Sequence, residues 1–149
     1  MTIKLNLGCG RRYLEGYINI DIQERIHSDL VCDITEGIPF NDNTIDEVRA
    51  HDFLEHIPLG KTIFVISEIW RVLKPAGILE HFTPSTDGRG AFQDPTHVSF
   101  WNYNSWDYYT LDAYRDLYGI VPKFEVIELR DIQTTENIIH TFGRLHAVK

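Results

Sequence analysis

The sequence predicts an α/β fold with a mostly parallel sheet and a nucleotide-type site at one edge of that sheet. Three observations carry this reading. Lys4-Leu5-Asn6-Leu7-Gly8-Cys9-Gly10 places apolar Ile3, Leu5 and Leu7 in a short strand and follows it with two glycines, where a chain can turn sharply and admit a ligand to its backbone. The next apolar run, Tyr17-Ile18-Asn19-Ile20-Asp21, ends on an acid. From Leu59 to Leu73 the apolar residues recur at helical spacing. Two adjacent parallel strands with such ends bring glycine amides and a carboxylate to one edge, suited to the carboxylate and ribose hydroxyls of a nucleoside ligand.

The elements follow in order. Between Gly10 and Asp21 the segment Arg11-Arg12-Tyr13-Leu14-Glu15-Gly16 is too short for a full crossover helix, so the first crossover is shortened or a loop, and one sheet face is thinly covered. Ser28 to Cys32 reads as a third strand with Asp33 just past it, and Asn41-Asp42-Asn43 turns the chain into a fourth strand, Ile45 to Ala50. The helix from Leu59 to Leu73 presents Ile63, Ile66, Trp70 and Leu73, widened by Ile69, to the sheet. Lys74-Pro75-Ala76-Gly77 breaks it, and Ile78 to Phe82 is the fifth strand. Thr83 to Tyr103 is long and aromatic, and its length points to a functional loop; we expect a lid over the site, hinged at Asp87-Gly88-Arg89-Gly90. Asn104 or Ser105 caps a helix carrying Trp106, Tyr109 and Tyr114, and Phe124 to Leu129 and Ile138 to Val148 complete the sheet.

Leu7-Gly8-Cys9-Gly10, Asp21, Val31-Cys32-Asp33-Ile34, the stretch from Ile45-Asp46-Glu47-Val48 through His51-Asp52-Phe53-Leu54-Glu55-His56, and Trp70-Arg71-Val72-Leu73-Lys74-Pro75-Ala76-Gly77-Ile78-Leu79 occur in this order. Together they resemble the class I S-adenosylmethionine-dependent methyltransferases, in a small, compact branch. The resemblance implies one domain over residues 1–149 with a Rossmann-like methyltransferase sheet, mostly parallel, with an antiparallel C-terminal strand. The chain departs from the family's usual pattern in its short first crossover, in lacking the upstream helix, in Asn6 where most members have an acid, and in Arg12 where many have a third glycine.

By that resemblance the cofactor is S-adenosyl-L-methionine. Gly8, Cys9 and Gly10 face its methionine end, and Asn6 accepts a hydrogen bond from its amine through an amide oxygen. Asp21 takes the ribose hydroxyls with Ile22 beside it, while Cys32, Asp33 and Ile34 close on the adenine. His51 and Phe53 line the sulfur side. His97, in the run Asp94-Pro95-Thr96-His97, and His56 are the candidate catalytic residues, placed to take a proton from an acceptor. The run from His51 to His56 has metal-ligand chemistry, since His51, Asp52, Glu55 and His56 share a face on a helix. The resemblance accounts for that run without a metal, and no cysteine cluster supports zinc.

The 149 residues fit one domain with a sizeable core. A net charge of -8 repels a phosphate backbone, which disfavours nucleic acid as a partner. No secretory leader and no apolar run of membrane-spanning length stand in the sequence, so no membrane partner and a cytoplasmic location are expected. The two cysteines, Cys9 and Cys32, are expected as reduced packing thiols. The acceptor is expected to be a small or carbohydrate-like molecule, methylated on oxygen or nitrogen; Asn-Pro-Pro-Tyr, found in amino-directed DNA enzymes, is absent. A module that binds the cofactor without turnover is the competing class. A nicotinamide-dependent dehydrogenase is the third, and Tyr13 argues against it by standing where its fingerprint needs glycine. The sequence sets no oligomeric state.

Overall fold

The computed structural model describes all residues, Met1–Lys149. Its strands are β1 (Lys4–Leu7), β2 (Ile18–Asp21), β3 (Leu30–Val31), β4 (Ile45–His51), β5 (Leu73–Pro84), β6 (Lys123–Thr135) and β7 (Ile138–Val148). They form one sheet in the order β3-β2-β1-β4-β5-β7-β6. β1 to β5 pair in parallel, and β7 lies antiparallel between β5 and β6. The order reverses at β1, between β2 and β4, which is where an open α/β sheet leaves a crevice beyond its strand ends.

The two faces differ in kind. On one, Leu5, Val48, Leu79 and Leu145 stand in register across four strands, all buried. Helix α1 (Thr62–Val72) packs there through Val65, Ile66, Ile69 and Val72. Each such buried side chain is worth about 1.5–3 kcal/mol. The buried stripe is rotated from the one the sequence suggests: Ile63 is exposed, and Leu73 has already left the helix to pair with Ile45 at the start of β5. Ala76 takes a left-handed φ of 62° within β5, where the pairing with β4 shifts register between Leu73 and Ile78.

On the opposite face, Asn19, Asn6, Arg49, Glu80, Arg144 and Glu128 form a register row across six strands. Arg49 donates to Asn6 Oδ1 at 3.2 Å, and Glu80 draws in Arg49 and Arg144 at 3.9 and 3.6 Å. No helix joins β1 to β2 or β2 to β3, so long charged side chains cover this face in place of a helical layer. The thin cover expected from the short first crossover is this row.

The segment after β5 is tied down. Thr86 N–H donates to the Trp101 carbonyl, Val98 and Ser99 N–H donate to the Glu55 carbonyl, and Arg89 N–H donates to the Asn137 carbonyl. A short helix, α2 (Gly90–Gln93), sits within it. The hinge expected at Gly88 and Gly90 is not one. A Cβ on Gly88 would lie 2.6 Å from the Ile139 nitrogen, and one on Gly90 3.0 Å from Ile138 Cγ2, so these glycines let the segment press against β7. Trp101, expected in a lid, is in the core.

The aromatic helix that follows is broken into a 3-10 turn (Tyr103–Trp106), α3 (Asp107–Thr110) and α4 (Asp112–Tyr118), with Leu111 extended between the last two. Its cap is Asn102 rather than Asn104 or Ser105. The Asn102 side chain accepts from Ser105 N–H, and the Ser105 hydroxyl accepts from Asn102 N–H. Trp106 is thereby fixed flat on His81, with ring centroids 4.0 Å apart.

Candidate functional site

The glycine loop leaves β1 with Gly8 at φ 60° and Gly10 at φ 51°, the left-handed region that glycine enters without steric cost. A Cβ on Gly8 would stand 2.2 Å from Phe53 Cδ2, so glycine is also what lets that ring close over the loop. Gly10 N–H donates to Asp21 Oδ2 and Gln23 N–H to Asp21 Oδ1, each at 2.9 Å. An ionised carboxylate offers about four acceptor positions, so each oxygen keeps one for a ligand.

These residues open into a cleft of about 530 Å³. Gly8, Gly10, Asp21 and Ile22 form one wall, Cys32, Asp33 and Ile34 the next, and Phe53, His56 and Thr96 the far rim. Asp33 caps a 3-10 turn: its Oδ1 accepts from the Thr35 amide and hydroxyl, which leaves Oδ2 uncommitted. The volume falls in the range of about 300–1,000 Å³ usual for small-ligand pockets.

Three predicted cofactor residues do not line this cleft. Asn6 is buried on the polar sheet face, where its amide donates to the Arg12 carbonyl and to Asn19 Oδ1, so it braces the loop from behind. The Cys9 thiol is buried and directed to the His27 carbonyl at 3.8 Å. His51 points to the polar face, between Arg49 at 2.7 Å and Glu80 at 2.9 Å. Burial, then the Arg49 charge, push its pKa down to about 4, so it is neutral, accepting from Arg49 and donating to Glu80.

Cys9 and His51 instead line a recess of about 220 Å³ with Arg11, Arg12, Arg49 and Asp52, sharing Gly8, Gly10 and Asp52 with the cleft. Asp52 turns the chain at φ 49°, a conformation Asp adopts more readily than most residues. Its carboxylate meets Arg12 at 3.1 Å and His140 at 3.4 Å. Burial opposes its charge, but His140 and Arg12 outweigh that and hold it below the usual carboxylate range. Arg12 and Thr96 were not legible as site residues, since Arg12 reads only as a missing glycine; Asp52 was legible only as part of the run from His51 to His56, because a positive φ leaves no mark on an Asp.

His56 and His97 come together with Glu55. His56 sits on the cleft rim and His97 behind it, with rings edge to face and centroids 5.1 Å apart. Glu55 Oε1 lies 3.9 Å from His56 Nε2 and 4.0 Å from His97 Nε2. Glu55 is only 2% exposed, and burial pushes its carboxyl up to about 8. The sequence alone gives no reason to join His97 to the run ending at His56; the amides of Val98 and Ser99 on the Glu55 carbonyl do so. A separate apolar groove of about 280 Å³, lined by Ile63, Phe100, Tyr108 and Tyr118, shares no residue with the glycine loop.

A family model described as "Methyltransferase domain" matches residues 5–80, from the first strand into β5. No curated protein sequence matches the chain. Among solved structures, a SAM-dependent methyltransferase from Archaeoglobus fulgidus is similar at 16% identity and TM-score 0.68, covering 96% of this chain and 86% of that one. A 1,6-didemethyltoxoflavin-N1-methyltransferase from Burkholderia thailandensis, with S-adenosylhomocysteine bound, is similar at 14% identity and TM-score 0.70, covering 99% and 71%. The [4+2]-cyclase SpnF is similar at 15% identity and TM-score 0.69, covering 99% and 75%. At these identities the likeness is one of fold, and the cyclase has that fold too.

Proposed function

The chain belongs to the class I S-adenosylmethionine-dependent methyltransferases, and from that premise we propose that it methylates an oxygen or nitrogen of a small-molecule or sugar-like acceptor seated at the His56–Thr96 rim. The cofactor is S-adenosyl-L-methionine, which supplies a methyl group on a positively charged sulfur. The residues present fit it: a side chain on Gly10 would intrude on open space beside the cleft, Phe53 closes against Gly8, and Asp21 holds spare acceptor capacity.

In this reading Asp21 accepts from the ribose hydroxyls while the Gly10 and Gln23 amides hold it in place. Asp33 Oδ2 accepts from the adenine amino group, with Ile22, Cys32 and Ile34 around the base. The recess beside Gly8 takes the methionine end, and Arg12 and Arg49 there suit its carboxylate. Asp52 suits its amine, in place of the acid that Asn6 does not supply. Phe53, closed over Gly8, shields the bound chain from water.

Methyl transfer asks mainly for alignment of nucleophile, carbon and sulfur, so the acceptor end needs few groups. His56 and His97 are the ones available to deal with the acceptor's proton. Their Nδ1 atoms face backbone carbonyls of Thr96 and Ala91, each at 3.1 Å, which fixes the Nδ1–H tautomer and leaves both Nε2 atoms as acceptors. The single observation that carries the choice of a small acceptor is the cleft itself: about 530 Å³ in all, lined by Asp21 and Asp33 as well as by His56 and Thr96, in a chain of net charge -8. An acceptor screen that reads S-adenosylhomocysteine release tests this. Turnover on hydroxyl- or amine-bearing small molecules supports it; turnover on nucleic acid alone contradicts it, and cofactor binding without turnover on any acceptor would favour the non-catalytic module.

A further inference from the structure

The Glu55, His56 and His97 cluster has the composition and the internal support of a metal centre. Each offers one ligand atom, and the three atoms lie within 4.8 Å of one another. Two imidazoles and one carboxyl group, which gives up its proton when the ion binds, form a donor set used by divalent first-row transition metals, with positions left open for a further ligand.

Three details go beyond proximity. Each histidine has its Nδ1 at a backbone carbonyl, Thr96 or Ala91, so the Nε2 that faces Glu55 carries the free lone pair; metal-bound histidines are held this way by their outer partners. Glu55 Oε2 is buried with no hydrogen-bond partner, although the side chain is 98% shielded, and such an atom calls for a partner that protein groups do not provide. Asp94 Oδ2 stands 3.7 Å from His97 Nε2, giving a second carboxylate at the edge of the cluster. Glu55 Oε1 is 3.9 and 4.0 Å from the two Nε2 atoms. A tetrahedral site with bonds of about 2.1 Å has neighbouring ligand atoms about 3.4 Å apart, so small side-chain rotations close the difference.

We propose that Glu55, His56 and His97 bind one divalent transition-metal cation, of the zinc, cobalt or manganese type, with an open position toward the cleft rim. That the open position receives the acceptor, through adjacent oxygens such as those of a vicinal diol, rests on the methyl-transfer reading; the binding of the ion does not. The two histidines would then act on the acceptor hydroxyl through the cation instead of taking its proton themselves.

The test is titration of chelator-stripped protein with Zn²⁺ and Mn²⁺ by calorimetry, and with Co²⁺ by its visible absorption, on wild type, Glu55→Gln and His97→Gln. S-adenosylhomocysteine affinity is measured on the same preparations. Losing an outer partner of a metal ligand costs about 10–100-fold, so removing a ligand should cost at least about 100-fold in metal affinity. One ion per chain, lost in both variants while S-adenosylhomocysteine still binds, is the expected result. No saturable binding, or the same binding in Glu55→Gln as in wild type, overturns the site. If metal binds as expected but S-adenosylhomocysteine does not, the site stands and the methyl-transfer reading fails on its own.

Discussion

Replacing Asp21 by asparagine changes one charge and almost no volume at the residue on which the cofactor reading most depends. The carboxylate now accepts from two backbone amides, at 2.9 Å each, and keeps an acceptor position on each oxygen. Asparagine has one neutral carbonyl oxygen, so one of the Gly10 and Gln23 amides meets an NH₂ group instead, one ribose hydroxyl loses its acceptor and the other keeps only an uncharged one. A hydrogen bond to a charged group is worth about 1.5–3 kcal/mol, which is about 10- to 150-fold in affinity. Asp21→Ala removes both acceptors and should lose more. Calorimetric titration with S-adenosylhomocysteine reads the affinity, and a melting curve checks that the variant is folded. A folded Asp21→Asn protein within about threefold of wild-type affinity would refute the assignment of Asp21 to the ribose, since even the weakest such bond predicts about tenfold.

Gly8→Ala should abolish S-adenosylhomocysteine binding, because the added carbon would stand 2.2 Å from the Phe53 ring on a backbone at φ 60°; unchanged binding would mean the loop does not hold this geometry. Arg12→Ala should weaken S-adenosylhomocysteine but leave adenosine affinity unchanged, and equal losses for both would remove Arg12 from the carboxylate. His81 is fully buried against Trp106, and burial, then the nearby His51, push its pKa down to about 3. Below about pH 6.5 only the unfolded chain takes this proton, so the stability it contributes is full above 6.5 and is lost as pH falls toward 3, at up to about 1.4 kcal/mol per pH unit. His81→Leu should flatten that part of the pH dependence in urea unfolding at pH 7 and 4.5, and an unchanged slope would put it elsewhere.

What the sequence made legible is what strands and turns enforce locally. Gly8, Gly10 and Asp21 were readable because a strand end followed by glycine, and a second strand ending on an acid, describe backbone geometry directly. Asn6 and His51 lie on the face away from the cleft, and strand alternation already implies it. Leu5, Leu7, Val48 and Ala50 point into the core, so period-two alternation puts Asn6, Arg49 and His51 on the opposite side. A motif position tells which residues lie near a ligand, but alternation decides which side chains can turn toward it. The polar row over that face had no local signature, because cross-strand register depends on pairing between distant segments. The join of His97 to Glu55 was unreadable for the same reason. Gly88 and Gly90 look alike as hinges and as close-packing residues, and only their approach to β7 separates the two.

The most direct measurement of the central claim is a crystal structure of the protein with S-adenosylhomocysteine. The ribose hydroxyls should lie on Asp21, the adenine between Ile22 and Ile34 with its amino group at Asp33, and the methionine carboxylate in the recess of Arg12 and Arg49, with the sulfur facing the His56 rim. A ligand bound elsewhere, or one in the cleft with Asp21 contacting neither ribose hydroxyl, would contradict it.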